Sequence, residues 1–355
     1  MQLNFLKKNS KNVIDKVINS FSYEMSQVQV LDSLDVPKIS RLNSDKIDLS
    51  SQVKISQDDI RNEFISRFTP SHILADILKN YIKNCVFKFR YNTHLITINY
   101  FYKESIDYND IILLGIKSLV FCEQNGFKSN IRLLYIPHHD KKKLDSNNTI
   151  GPSSVNSGFT TFELNGDRTI VIFRKEEAEK LLIHELVHYL GLDYNNHYLD
   201  QIEINSKFMS DFDIVSNSNN INTFEAYTDF IAILYNNIYD SILNNDDLEK
   251  RLDNEIRFQK YQVHKILNKF DMIHPLKKLN NGNKISQSTN VVSYYILKLG
   301  IMSNYMETIN RFTLGKSWSK NKIREFYNYA ISKLENIGFN PAEKYSDLTM
   351  RMSYV

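Results

Sequence analysis

The chain has 355 residues, 42% of them hydrophobic, with 21 Tyr, 21 Phe, 10 Gly and 6 Pro. Such a composition supplies a large core, so it excludes a disordered or collagen-like chain and fits one large or two small domains. The net charge is only +3, and Lys and Arg are spread along the sequence. Because nucleic-acid-binding proteins gather basic residues on one face, we expect no nucleic-acid partner.

The two cysteines, the first 20 residues and the length of the apolar segments indicate the cellular compartment of the protein. Cys85 and Cys122 lie in separate apolar segments, which favours buried free thiols over a disulfide framework. The first 20 residues are interrupted by charged side chains and lack the apolar stretch of a signal peptide. No segment approaches the ~20 apolar residues that cross a bilayer. We therefore expect a cytoplasmic protein, in a cell or in a virus-infected host, with no membrane partner.

In the first third of the chain, the pattern predicts a short amphipathic helix near the start and a loose arm extending to about residue 55. The elements that follow are two helices, a hairpin of two β-rich runs, a long helix that Gly126 ends, and a buried strand. Their bounds are Gln57–Arg67, Ser71–Asn84, Val86–Tyr91, Leu95–Tyr102, Ile106–Asn125 and Ile131–Ile136.

Residues 138–156 are rich in polar residues, Gly and Pro and are typical of a loop. The His138-His139-Asp140 run in this segment is more typical of a solvated loop than of a metal-binding cluster, because adjacent side chains do not easily face one ion. Next, the turn Asn165-Gly166-Asp167 joins the β-rich runs Ser157–Leu164 and Arg168–Arg174, a strong hairpin signal. A helix over Lys175–Leu190, ended by Gly191, follows at once.

From residue 200 onward the pattern is nearly all helical. The clearest segments are Thr223–Leu243, Asp247–Lys269, Val291–Leu299 and Lys320–Asn336. We therefore predict an α+β protein with three parts. These are an N-terminal arm over residues 1–55, an α/β lobe over 56–195, and a mainly helical lobe over 196–355.

The sequence His184-Glu185-Leu186-Val187-His188 carries the chemistry. Residues four apart on a helix share a face, about 6 Å apart along the axis, so the two imidazoles can converge on one zinc ion. Glu185 projects about 100° away from His184 and can reach a metal-bound water without ligating the metal. The flanks are apolar, which indicates a buried helix, and a buried charged Glu185 needs a partner.

A catalytic zinc needs a third protein ligand and an open fourth position. The favoured candidate is Glu225, with Asp229 one helical turn later to accept the outer N–H of a zinc histidine. Glu225 has an alternative interpretation as part of a capping box with Asn222. Two other ligand candidates are Asp193 and His197. The turn-type zinc proteins place their ligand ten residues after the first histidine, but Tyr194 occupies that position here.

The chain resembles the gluzincins, the thermolysin-like zinc metallopeptidases, whose pattern is HExxH on one helix and Glu-x-x-x-Asp on a later one. The resemblance spans about residues 85–300. It implies that His184, His188 and Glu225 are the zinc ligands, Glu185 the general base and Asp229 an orienting carboxylate. It also implies a zincin-like fold, whose edge strand, next strand and active-site helix correspond to Ser157–Phe162, Arg168–Phe173 and Lys175–Leu190. The 37-position step from His188 to Glu225 is longer than in compact thermolysin-like proteins.

The gluzincin resemblance further implies a peptide or protein substrate, hydrolysed by a zinc-bound water that Glu185 deprotonates. Gluzincins usually supply a Tyr or His from a later helix to the developing oxyanion. Tyr294 and Tyr295 are the candidates here, with His274 behind them. The substrate backbone is expected to pair with the edge of the strand, and the predicted substrate-binding residues are Ser157, Gly158, Phe159 and Thr160.

Two alternatives remain beside the peptidase. One is a zincin-fold binding module without activity, although such a module does not need a base at Glu185. The other is a zinc hydrolase of a non-peptide substrate, which an edge strand shaped for a peptide backbone disfavours. A second resemblance, to uncharacterised HExxH proteins of large DNA viruses, depends on the Ile-, Asn- and Lys-rich composition alone.

Overall fold

The structure is a computed structural model with mixed α+β content. It describes residues 2–27, 64–81, 83–127, 130–144, 146–162, 168–216, 221–276, 284–312, 317–339 and 347–354. The chain divides into two compact units, each built from non-contiguous ranges. We call residues 5–140 with 157–189 the β-rich unit, and residues 1–4, 141–156 and 190–355 the helical unit.

A six-stranded mixed sheet is the centre of the β-rich unit, in the order β1-β2-β3-β4-β6-β5. Strands β3, β4 and β6 are mutually parallel, whereas β1, β2 and β5 each pair antiparallel with their neighbours. The strands span Ser22–Gln27 (β1), Lys83–Tyr91 (β2), His94–Tyr102 (β3), Asn130–Tyr135 (β4), Gly158–Phe162 (β5) and Arg168–Ile172 (β6). Strand β5 is therefore the last strand at one side of the sheet.

Four main helices accompany this sheet, over Gln2–Ser20, Ser71–Asn80, Tyr108–Asn125 and Ala178–Leu190. The second packs Ile73 and Ile77 into a core cluster with residues of the strands, including Phe101, Leu134 and Val171. The third begins at its N-cap Asp107, whose side chain accepts a hydrogen bond from the Asp110 backbone N–H. The fourth, the HExxH helix, ends where Gly191 adopts φ +65°, as predicted.

The helical unit contains the helices Pro152–Val155, Tyr198–Asp211, Phe224–Leu243 and Leu248–Lys269, a π-helix over Val292–Leu297, and the helices Lys298–Met302, Tyr305–Arg311 and Lys320–Leu334. A two-stranded parallel sheet joins Ile214–Ser216 (β7) to Ile285–Gln287 (β8). No helix among the described residues is both long and apolar enough to cross a membrane.

The segment Asp347–Tyr354 is held in the helical unit mainly through its backbone. Tyr295 Oη donates to the Met350 carbonyl at 2.5 Å, and Lys298 Nζ donates to the Met352 carbonyl at 2.9 Å. Glu255 accepts the Tyr354 backbone N–H at 2.9 Å. Because these side chains are buried, the segment completes the hydrogen bonding of the surrounding helices.

Several sequence predictions need correction. The helix predicted near the start is present but is 19 residues long rather than short, and the segment predicted as a loose arm begins with strand β1, which extends the sheet beside β2. The helix predicted over Ser71–Asn84 ends at Asn80, because Lys83 and Asn84 already pair with β3. The nearly all-helical second half also contains β7 and β8, which are too short to give a pattern.

Other predictions are confirmed. The hairpins β2–β3 and β5–β6 both form, and Cys85 and Cys122 are buried free thiols. The turn Asn165-Gly166-Asp167 and most of the helix predicted over Gln57–Arg67 lie outside the described residues.

Candidate metal and catalytic site

The HExxH helix presents its two histidines to one point. It is buried from Lys180 to Val187, and Leu182, Ile183 and Leu186 are fully buried. His184 is 4% exposed and His188 is half-buried. Their Nε2 atoms lie 3.1 Å apart. The spacing of one helical turn between His184 and His188 thus brings their ring nitrogens together.

Glu185 is held by a neighbour on the edge strand β5. Its carboxylate is only 3% exposed, and Oε2 accepts a hydrogen bond of 2.8 Å from Thr160 Oγ1. The same hydroxyl lies 3.2 Å from the Glu185 carbonyl oxygen. A hydroxyl that spans the side chain and backbone of one residue restricts the rotamers of that residue. The alternation of β5 thus directs Thr160 at the predicted base, a role that the sequence did not reveal.

Glu225 lies on a helix that is buried throughout its first five turns, and is itself 8% exposed. Asn290 Nδ2 donates to its Oε1 at 3.3 Å. The capping-box interpretation fails, because Thr223 is the N-cap and makes no side-chain cap hydrogen bond. Asn222 instead donates its backbone N–H to Asn290 Oδ1 at 2.9 Å. Asn290 therefore connects the start of the helix to the Glu225 carboxylate.

Among the described residues, a single group of three or more His, Cys, Asp or Glu side chains offers converging ligand atoms. It consists of His184, His188 and Glu225, whose ligand atoms all lie within 4.8 Å of one another. Neither Asp193 nor His197 belongs to this group. Asp193 accepts hydrogen bonds from Thr228 Oγ1 and the Asn195 backbone, and His197 pairs with Asp200 at 3.5 Å. The structure therefore brings together the three predicted ligands.

Asp229 forms a buried ion pair that the sequence analysis did not predict. Lys298 Nζ lies 2.6 Å from Asp229 Oδ2, and both side chains have no exposed surface. The same ammonium donates to the Met352 carbonyl. The ion pair could have been predicted from Lys298, which lies within the apolar run Ile296–Leu299, because a buried ammonium requires a partner. The predicted role of Asp229 in orienting a histidine stays a prediction.

The candidate oxyanion donors have different surroundings. Tyr295 is fully buried, and its hydroxyl donates to Met350, so that proton is committed to the chain itself. Tyr294, its neighbour in the π-helix, is half-buried. His274 is buried and accepts the Leu276 backbone N–H on Nδ1. Of the two predicted tyrosines, Tyr295 is therefore disfavoured as the oxyanion donor by its hydrogen bond to Met350.

The predicted substrate-binding residues lie on or next to strand β5. Ser157 precedes the strand, and its carbonyl accepts the Phe173 backbone N–H. Gly158 approaches β6 so closely that a Cβ atom there would lie 2.5 Å from the Val171 carbonyl oxygen. Phe159 packs into the core cluster, and Thr160 contacts Glu185. At least two of these four side chains therefore have intramolecular roles in addition to any contact with a substrate.

Comparisons with known proteins give one partial similarity. The chain is 36% identical over 75 residues to an uncharacterised protein, R210, of Acanthamoeba polyphaga mimivirus. The similar region covers 21% of this chain and 17% of that protein. No known protein family matches the sequence, and no solved structure matches it.

Proposed function

We propose that the protein is a zinc metallopeptidase of the gluzincin type. The observation that supports this most directly is the grouping of His184, His188 and Glu225 within 4.8 Å, with Glu185 on the same helix. Two imidazoles, one carboxylate and an adjacent second carboxylate form the donor set and base of a hydrolytic zinc centre. The order of β5, β6 and the HExxH helix agrees with a zincin-like fold.

The geometry of the residues fits zinc. Two nitrogens that are each about 2.0–2.1 Å from a tetrahedral ion lie about 3.3 Å apart, and the histidine Nε2 atoms are 3.1 Å apart. Nitrogen and oxygen donors also favour zinc over the harder cations calcium and magnesium, which prefer oxygen ligands alone. His184, His188 and Glu225 would hold the ion and leave its fourth position open.

Each residue then has a defined task. Bound zinc would supply Lewis acidity and lower the pKa of a coordinated water towards ~7. Glu185 accepts the proton of the attacking water on a carboxylate oxygen and passes it to the leaving amine. Thr160 keeps that carboxylate in one position through its 2.8 Å hydrogen bond. Tyr294 is the proposed donor to the developing oxyanion, and β5 offers its backbone to an extended peptide.

The test is hydrolysis of a mixture of quenched-fluorescence peptides by the purified full chain. We expect cleavage that 1,10-phenanthroline abolishes and that added zinc restores after the chelator is removed. Zinc binding without peptide cleavage would contradict the peptidase proposal. Hydrolysis confined to ester or amide substrates that are not peptides would replace it with the non-peptide hydrolase.

A further inference from the structure

A second site is indicated at the sheet edge where the parallel strands of the β-rich unit end. A cavity of about 590 Å³ is lined by Tyr102 and the residues just after β3, by Pro137–Asp140 after β4, and by Lys175 after β6. Ligands of open α/β sheets bind at the carboxyl ends of the strands. The volume also lies within the ~300–1,000 Å³ typical of small-molecule sites. The His138-His139-Asp140 run, predicted as a solvated loop, lies in this wall.

The charges of the lining favour a cation. Four carboxylates face the cavity, together with two lysines. Lys175 is already shared between Asp107 at 2.7 Å and Asp110 at 3.1 Å, so it does not offset the other acids. Asp140 is balanced by Arg174, which is fully buried. The remaining carboxylates of the lining are Asp76, which is hydrogen-bonded to His138, and Glu104, and the remaining lysine is Lys103.

Aromatic surface lies beside these acids. Tyr81, Tyr100 and Tyr102 all line the cavity and are 5%, 1% and 3% exposed. Burial raises the pKa of Tyr81, and so do the nearby charges of Asp76 and Glu104. Asp76, Glu104 and Tyr81 thus line the same cavity and influence one another electrostatically. Carboxylates next to tyrosine rings are the usual environment of an organic cation, which gains both Coulomb and cation–π attraction.

The positions of the acids are fixed before any ligand arrives. Asp76 accepts hydrogen bonds from Asn80 Nδ2 at 2.6 Å and from His138 Nε2 at 3.0 Å. His138 in turn accepts the Asp140 backbone N–H on Nδ1. These contacts restrict Asp76 to one rotamer, so a ligand does not have to order it.

Two other ligand classes fit less well. An anion would meet an excess of carboxylates. A metal ion would need three converging donors, and in the part of the chain that the structure describes only the His184, His188 and Glu225 group supplies them. We propose that this cavity binds a small organic cation of the ammonium or guanidinium class, at the corner formed by Asp76, Glu104 and Tyr81.

Such a group belongs either to a free amine or to a Lys or Arg side chain of a polypeptide. Titration calorimetry with the full chain distinguishes the two sources, using agmatine as the free cation and acetyl-Gly-Arg-Gly-amide as the peptide. Butyrate is the anionic control. Saturable binding of either cation supports the proposal, and the tighter of the two identifies the source. No saturable binding of either cation up to about 10 mM, or equally tight binding of butyrate, would overturn it.

Variants locate the binding. Glu104→Gln removes an exposed charge and should weaken agmatine binding about 5- to 10-fold without changing the melting temperature. Asp76→Asn should have a similar effect and serves as a second variant. Asp15→Asn is the matched control, because this exposed acid lies outside the cavity, and it should leave binding unchanged. Equal agmatine affinity in the Glu104→Gln and native proteins contradicts the assigned corner, whatever the metal centre does.

Discussion

Replacing Glu185 with Gln should reduce peptide turnover by about 10²–10⁴-fold while the protein still binds zinc. Gln has nearly the same shape as Glu but cannot accept the proton of the attacking water. Its Oε1 can still accept the hydrogen bond that Thr160 Oγ1 now donates to the carboxylate, so the site should keep its geometry. The measurement is kcat on a cleaved peptide, together with zinc content by mass spectrometry.

A matched control separates catalysis from general loss of charge. Glu249→Gln changes an exposed glutamate on the helix Leu248–Lys269 and should leave kcat within a factor of two, a range we set as an order-of-magnitude limit for surface changes. Two outcomes contradict the role of Glu185. One is unchanged turnover in Glu185→Gln. The other is loss of zinc together with activity, which would indicate a structural role or a ligand role.

Lys298→Met should destabilise the protein by about 3–5 kcal/mol, because it leaves Asp229 charged and buried without its ammonium partner. The same change removes the hydrogen bond from Lys298 to the Met352 carbonyl. We therefore also expect faster hydrogen exchange in the segment Asp347–Tyr354. The measurements are urea unfolding and amide exchange by mass spectrometry.

Two further variants test the cause. The double variant Lys298→Met with Asp229→Asn removes both charges, so it should be less destabilised than Lys298→Met alone. Lys207→Met breaks the exposed pair of Lys207 with Asp211 and should cost no more than about 1 kcal/mol. If Lys298→Met lowers the free energy of unfolding no more than Lys207→Met does, the buried ion pair does not stabilise the protein as proposed.

The local part of the candidate site was predictable from the sequence. The spacing of His184 and His188 fixes their common helix face, and Gly191 ends that helix in a conformation that glycine favours. The Asn-Gly turn and the β-rich runs on each side predicted the β5–β6 pair. Each of these inferences concerns residues within one helix or one hairpin, where periodicity and turn chemistry decide the structure.

The parts that were missed depend on residues far apart in the chain. Strand β1 acquires its conformation from pairing with β2, about 60 residues later, and its own pattern is weak. Lys298 forms its ion pair with Asp229, which is 69 positions away in the chain. The sequence predicted Tyr295 as an oxyanion donor, but its hydroxyl donates a hydrogen bond to the carbonyl of Met350, 55 positions away. Periodicity carries no information on such pairs, because tertiary packing selects them.

The proposed function requires that His184, His188 and Glu225 bind one metal ion together. Zinc titration calorimetry on the full chain, with zinc content measured in parallel, tests this directly. We predict one zinc per chain in the native protein, and an affinity at least about 10²-fold lower in each of His184→Ala, His188→Ala and Glu225→Ala. Absence of bound zinc, or full affinity in Glu225→Ala, would contradict the proposed centre.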